Sequence, residues 1–236
     1  MGELHPLYSI KTACLCCEQI FETSRVRTSF KKAVGTDTDF FIRYKSVNPD
    51  YYVVRVCPNC GFSFTENFEP DMTQQQKQLY HEKLGKSWGK LDLTGERDWA
   101  QAMHAFKLAL VCAQIKGEKQ RIIASILHHI AWLYREKGDR EQELRFLRHA
   151  LDAYIDVYEW EDETSKNARL MYLIGELHRR LGEYKEAVFW FGRVIHDKSI
   201  MDAAMIRASR EQWAVLREEM LAAKMQLPAE MGGSSV

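Results

Sequence analysis

The chain has 236 residues, 46% of them hydrophobic and 28% charged, a balance that belongs to a folded globular protein and excludes wholesale disorder. Lysine plus arginine and aspartate plus glutamate both count 33, so the net charge is zero, which excludes a global field drawing the chain to nucleic acid or an anionic membrane. The opening "MGELHPLYSIKTACLCC" holds no apolar run long enough for a signal-peptide core or a membrane span, and Pro6 stands where a myristoylation site needs Ser or Thr.

A cytoplasmic chain is therefore expected. In a reducing compartment its six cysteines read as metal ligands or buried thiols rather than disulfides. The first element to carry chemistry is "ACLCCEQIF", with Cys14 and Cys17 two residues apart, and "VCPNCGFSF" repeats the spacing at Cys57 and Cys60. A CxxC turn lets both sulfurs face one point, and two such knuckles on adjacent hairpins supply four thiolates at about 2.3 Å from a tetrahedral zinc ion. Pro58 gives the second turn a rigid entry and Gly61 tolerates positive φ. The gap between the pairs exceeds the roughly 15 to 20 residues of common four-cysteine fingers. It is filled by strand-like "SRVRTSF", "FFIRY" and "DYYVVRV", punctuated by the turn "SVNPD".

The expectation is one small antiparallel sheet bearing both knuckles, a zinc-ribbon-like domain over residues 1–70. Its structural zinc would be held by Cys14, Cys17, Cys57 and Cys60. Two other readings compete. A redox CxxC belongs at a helix N-terminus in a βαβ setting, and a catalytic zinc keeps an open position, often with His ligands; neither pattern is present. Cys16 is a bystander, a substitute ligand or a thiol sensor, and Cys112, on the apolar helical face of "LALVCAQI", reads as a buried inert thiol.

Between the knuckles, Arg25, Arg27, Lys31, Lys32, Arg43, Lys45 and Arg55 alternate with Phe30, Phe40, Phe41, Tyr44, Tyr51 and Tyr52. Cations beside stacking aromatics suit single-stranded nucleic acid. The same alternation suits a half-buried sheet, and Glu22, Asp37, Asp39 and Asp50 share the segment. The sheet is the reading preferred.

After the connector "NFEPDM" the period changes from two to three and four, and residues 73–226 read as helical. "LHHIAWLYREKGDREQELRFLRHAL" aligns without a gap on "MYLIGELHRRLGEYKEAVFWFGRVI", so that Ile130 meets Ile174, Ala131 meets Gly175, Gly138 meets Gly182, Leu147 meets Phe191 and Ala150 meets Val194. This is a tetratricopeptide-like repeat of antiparallel helices, with an offset of 44 residues against the roughly 34 of the standard motif, which implies helices longer by a turn or so. "RDWAQAMHAFKLAL" supplies the second helix of an incomplete unit whose first is interrupted by "GKSWGKLDLTGE". "MDAAMIRASREQWAVLREEMLAAKM" caps the stack, and 227–236 is expected as a flexible tail. The fold class is thus α+β, mainly α.

A stack of this kind presents its first helices as a concave face. The repeat register turns Ser125, His128, Trp132 and Arg135 inward, then Arg169, Tyr172, Glu176, Arg179 and Arg180. Arginines outnumber acids there, which suits an acidic peptide or protein partner, since guanidinium pairs carboxylate bidentately. The competing reading pairs these arginines with Glu136 and Glu176 on the stack itself. No HExxH, phosphate-binding Gly-rich loop or GxSxG elbow occurs, so the chain reads as a non-enzymatic zinc-binding interaction scaffold. The alternatives are a nucleic-acid-binding or regulatory module built on the ribbon and a redox sensor built on Cys16.

"CPNCG", "FKLALVCAQIKG", "AWLYREKGD" and "YLIGELHRRLGEYKEAVFWFGRVI" together resemble a bacterial domain-of-unknown-function family that couples an N-terminal paired-CxxC region to tetratricopeptide-like helices. The resemblance spans most of residues 8–215. It implies a metal-binding region and a Firmicute-type bacterial cytoplasm, and no activity. The first knuckle departs from the family's usual form, reading "CLCC" where Pro or Gly is common.

Overall fold

A computed structural model describes residues 4–160 and 167–228. Among these residues three short antiparallel hairpins precede seven α-helices, an α+β and mainly α chain. The chain folds as two compact units that divide between Glu143 and Leu144. The change of period near residue 70 marks where strands give way to helices; compactness divides the chain elsewhere, because the hairpins share their core with the helices that follow.

In the first unit β1 (Leu7–Ala13) pairs with β2 (Ile20–Val26), β3 (Ala33–Thr36) with β4 (Ile42–Tyr44), and β5 (Arg55–Val56) with β6 (Ser63–Phe64). They form three separate two-stranded sheets and not the single sheet expected. The reason lies in "DYYVVRV", which coils instead of extending. Asn48 caps a 3-10 turn over Pro49–Tyr52 by accepting the Asp50 N–H at 3.0 Å, and Pro49 sets the turn's entry. The strand shrinks to Arg55–Val56. Its would-be ladder carbonyls are taken by a side chain: buried Arg97 donates Nη1 to the carbonyls of Tyr51 at 2.9 Å and Val54 at 2.7 Å, and Nε to Leu93 at 2.7 Å. Burial pulls the Arg97 guanidinium down to about 10. Strand β1 has no counterpart among the expected strands, although "LYSIKT" carried the signal.

Helices α1 (Gln74–Lys83), α2 (Trp99–Lys116) and α3 (Gln120–Lys137) complete this unit. Capping boxes open the first two, Thr73 with Gln76 and Asp98 with Gln101. Phe62 meets Tyr80 of α1 edge to face at 5.0 Å, and the Ser63 N–H donates to Cys112 Sγ of α2 at 3.3 Å. Cys112 is thus the buried thiol expected. Burial pushes it up to about 12, so it stays protonated.

Helix α4 (Arg140–Trp160) begins at the end of the first unit, and α5 (Ala168–Arg180), α6 (Tyr184–His196) and α7 (Ala203–Ala222) follow in the second. The internal repeat is real at the level of atoms. Gly138 and Gly182 both turn left-handed, at φ 74 and 79. Their N–H groups bond to Arg135 and Arg179 at 3.0 Å each, and those of Asp139 and Glu183 bond to Tyr134 at 3.0 Å and His178 at 2.9 Å. Ile130, Ile174, Leu147, Phe191, Ala150 and Val194 are all fully buried, as the alignment requires. A Cβ on Gly175 would lie 2.9 Å from Phe191, so the small residue permits the close α5–α6 contact. The added length appears only in the first pair: α3 and α4 have 18 and 21 residues, α5 and α6 have 13 each. Helix α7 packs on α5 and α6, burying Leu216 and Met220. Of the expected tail, residues 229–236 lie outside the described residues.

Candidate metal centre

Each cysteine pair sits at the tip of its own hairpin. Ala13 pairs with Ile20 and Val56 with Ser63, so residues 14–19 and 57–62 form two tips of equal length. The tips have the same internal bonding. Cys14 N–H donates to Gln19 at 3.0 Å and Cys57 N–H to Phe62 at 3.1 Å, while Glu18 and Gly61 N–H groups return to Cys14 at 3.0 Å and Cys57 at 2.8 Å. Glu18 and Gly61 are both left-handed, at φ 62 and 79. Glycine adopts that conformation freely; Glu18 adopts it at a cost.

These tips bring Cys14, Cys17, Cys57 and Cys60 together, all four Sγ atoms lying within 4.8 Å of one another. The Cys14–Cys60 sulfurs are 3.5 Å apart and the Cys17–Cys57 sulfurs 3.7 Å. A disulfide needs about 2.05 Å. Four thiolates at about 2.3 Å from a central ion stand roughly 3.8 Å from one another, by tetrahedral geometry. The spacing therefore fits a four-sulfur metal site and not a pair of disulfides.

The electrostatics of the four thiols are compatible with the same partner. Hydrogen bonds from Cys14 and Cys60, joined by the Asn59 and Cys60 N–H groups, hold the Cys57 thiol far below its ordinary value. Cys14 is pushed up by its bond to Cys57, and Cys60 by its bonds to Cys14, Cys16 and Cys57. One thiolate stabilised by its neighbours' protons is what the cluster supports alone. Four thiolates need a cation to balance them.

The surrounding shell is well made on one side and sparse on the other. Trp88 covers the second knuckle, its Nε1 donating to Pro58 at 3.2 Å, and Tyr80 donates its hydroxyl to the Cys60 carbonyl at 2.8 Å. A Cβ on Gly61 would lie 2.3 Å from the Trp88 ring. The first knuckle is tied down by Lys77, which pairs with Glu18 at 2.6 Å, and by Asn59 Nδ2, 3.6 Å from Cys17 Sγ. Cys16 is half-buried beside the cluster, and its thiol is lowered by a hydrogen bond with Cys60 and by Lys77. The support from Lys77, Tyr80 and Trp88 could not be read from motif spacing, since these residues lie beyond the second knuckle in sequence.

The expected partner-binding residues fall differently. His128 and Arg135 lie on α3 in the first unit, and they face a hairpin of the same unit. The β3–β4 tip, residues 37–41, inserts Asp39, which is fully buried. Its carboxylate accepts Nη1 and Nη2 of Arg135 at 2.9 and 2.6 Å, Trp132 Nε1 at 3.1 Å, and lies 3.3 Å from His128 Nε2. Arg135 also bonds Asp37 at 3.1 Å and Glu143 at 2.7 Å, and its guanidinium lies over Phe41. Next to this contact, Glu136 accepts from Tyr51 at 2.9 Å and Asn48 at 3.1 Å.

In the second unit Arg179 holds buried Glu176 bidentately at 2.9 and 3.0 Å and reaches Glu219 at 2.7 Å, while Arg180 reaches Glu176 at 2.7 Å. Tyr172 is buried and Arg169 exposed. The expectation of an open, arginine-lined groove is corrected at His128, Arg135, Tyr172, Arg179 and Arg180. The register turned them inward, where acids of the same chain meet His128, Arg135, Arg179 and Arg180 and the Phe191 ring meets Tyr172.

The ribbon's cations and aromatics are also largely spent. Arg25 and Arg55 pair with Glu66, Arg43 with Asp37, and Arg27 lies over Tyr8. Phe41 and Tyr52 are buried, and Phe30, Phe40, Tyr44 and Tyr51 are half-buried, so none of the six is a fully exposed stacking platform. Among the described residues no helix is long and apolar enough to cross a membrane.

The chain belongs to the bacterial family described as "Uncharacterized protein conserved in bacteria (DUF2225)", whose model matches residues 7–216. No curated protein and no solved structure matches it.

Proposed function

We propose that this member of an uncharacterised bacterial family is a non-enzymatic, cytoplasmic, zinc-stabilised interaction scaffold. Tetratricopeptide-like helices would provide its binding surface, and an acidic peptide or protein would be its partner. The observation that carries the metal part is the cluster of four sulfurs, all within 4.8 Å of one another, with contacts of 3.5 and 3.7 Å between residues 40 or more apart in sequence. Four thiolates favour zinc over hard cations such as magnesium or calcium. They leave no ligand position for substrate water, which favours structural over catalytic metal. Zinc would clamp the tip of β1–β2 to the tip of β5–β6, so its binding free energy would appear as folding free energy of the hairpins.

Native mass spectrometry of chelator-free protein tests this directly, with Cys57→Ser/Cys60→Ser alongside. About one zinc per chain in the parent and none in the variant, with loss of hydrogen-exchange protection over residues 7–26 and 55–64, is the expected result. A metal-free parent with those hairpins protected would sink the reading. Cys16, beside Cys60 and Lys77, favours one second reading, a thiol sensor that releases the metal on oxidation. Mild peroxide would then eject zinc from the parent faster than from Cys16→Ser, and equal rates would remove it.

A further inference from the structure

A cleft of about 840 Å³ lies within the second unit, between α6, α7 and residues 225–228. One wall is a stripe of α6: Lys185, Phe189 and Arg193 recur every four residues, with Gly192 and His196 beside them. From Lys185 to His196 the stripe spans twelve residues, a rise of roughly 16 Å along the helix. Trp213 of α7 stands opposite, and Gly192 keeps the walls close, since a Cβ there would lie 3.0 Å from the Trp213 ring. Leu227 and Met225 close the third side.

The wall is apolar and cationic together. Among the described residues no acid lines the cleft, and Lys185, Arg193 and His196 have no carboxylate within ion-pairing distance. This contrasts with Arg179 and Arg180, both paired with Glu176. Arg193 is held over three rings instead, 5.1 Å from the centre of Tyr158, 5.5 Å from Trp190 and 5.7 Å from Phe189. Such stacking fixes a guanidinium in place while leaving its charge unanswered by an acid. Phe189 remains 55% exposed, so a compact small molecule would leave much of this wall wet, whereas an elongated segment would cover it.

We propose that this cleft docks an acidic segment of a partner protein, with a carboxylate on Arg193 and a large apolar side chain between Phe189 and Trp213. The proposal rests on the scaffold reading and moves its contact surface from the inward faces of α3 and α5 to the outer stripe of α6. Charge complementarity selects the occupant, because a cationic and apolar wall rewards acids and large apolar groups in the same ligand.

The test is selection of phage-displayed random dodecapeptides on the immobilised full chain, followed by fluorescence anisotropy of the selected peptides. Enriched peptides should combine Asp or Glu with Phe, Trp, Leu or Met. They should bind at least tenfold more weakly to Lys185→Glu/Arg193→Glu and to Phe189→Ser, two variants altered only at exposed positions. Peptides that lack acids overturn the proposal, as do acidic peptides that bind both variants as well as the parent. In that last case the chain is a scaffold that uses another surface, and only the cleft falls. If nothing is enriched, the cleft and the scaffold reading fall together.

Discussion

Hairpins β1–β2 and β5–β6 end in thiols and turn toward each other, whereas hairpin β3–β4 ends in Asp37, Asp39 and Phe41 and turns toward helix α3. All three are too short to be stable alone. On the proposed reading the first two would be held by a metal ion on their four cysteines, with few demands on the rest of the core. The third is held by a carboxylate that is tolerable only because Arg135, Trp132 and His128 are already positioned to receive it. A metal clamp is local in its demands, and a buried charge clamp depends on a finished tertiary structure.

Removing the clamp on the thiol side should have the largest effect. Cys14→Ser/Cys17→Ser is expected to lose metal as completely as the opposite pair, forfeiting a binding free energy of about 10–16 kcal/mol on the scale of zinc-finger peptides. Metal content and exchange protection over residues 7–26 report the outcome; one zinc retained would show that the first knuckle is dispensable. Next in size is Asp39→Ala, which leaves Arg135 and its neighbours buried without their main acid and should cost about 3–5 kcal/mol in denaturant unfolding. Its metal content should be unchanged. A loss of metal in that variant would mean that the two kinds of clamp are coupled.

The two knuckles can be set against each other through their left-handed residues. Gly61→Ala places a Cβ against Trp88 in a strained conformation and should destabilise by roughly 2–4 kcal/mol. Glu18→Gly relieves strain but gives up the bridge to Lys77, so its melting temperature should stay within a few degrees of the parent. A fall as large as that of Gly61→Ala would show the first knuckle to depend on Lys77.

The smallest effect is a pH dependence on the acid side. Burial holds His128 below its ordinary value against the opposing pull of Asp39, with His129 and Arg135 adding to the depression. The unfolded chain takes up a proton near pH 6.5 that the folded residue refuses, so this contribution is complete above about 6.5 and declines as pH falls toward the folded value. His128→Gln should therefore lose stability less steeply than the parent between about pH 7 and 5. Parallel curves would show that His128 takes up the same number of protons in the folded and unfolded states over that range.

Sequence alone determined the features that depend on local spacing. Two CxxC turns put two pairs of sulfurs at hairpin tips, and the helical period with Gly138 and Gly182 set a repeat whose equivalent positions are buried in the fold. The partition of "DYYVVRV" was not legible, because the side chain that takes its carbonyls, Arg97, lies more than forty residues downstream. The same holds for the shell of the metal centre, where Trp88, Tyr80 and Lys77 arrive through tertiary packing. Register could say that Arg135 and Arg179 face inward. The i,i+3 spacing of Glu176 and Arg179 already offered one pair; only the tertiary structure decided that Asp39 would be waiting for Arg135, since an arginine's charge is the same in any sequence and its long-range pairing depends on what the fold brings within about 4 Å.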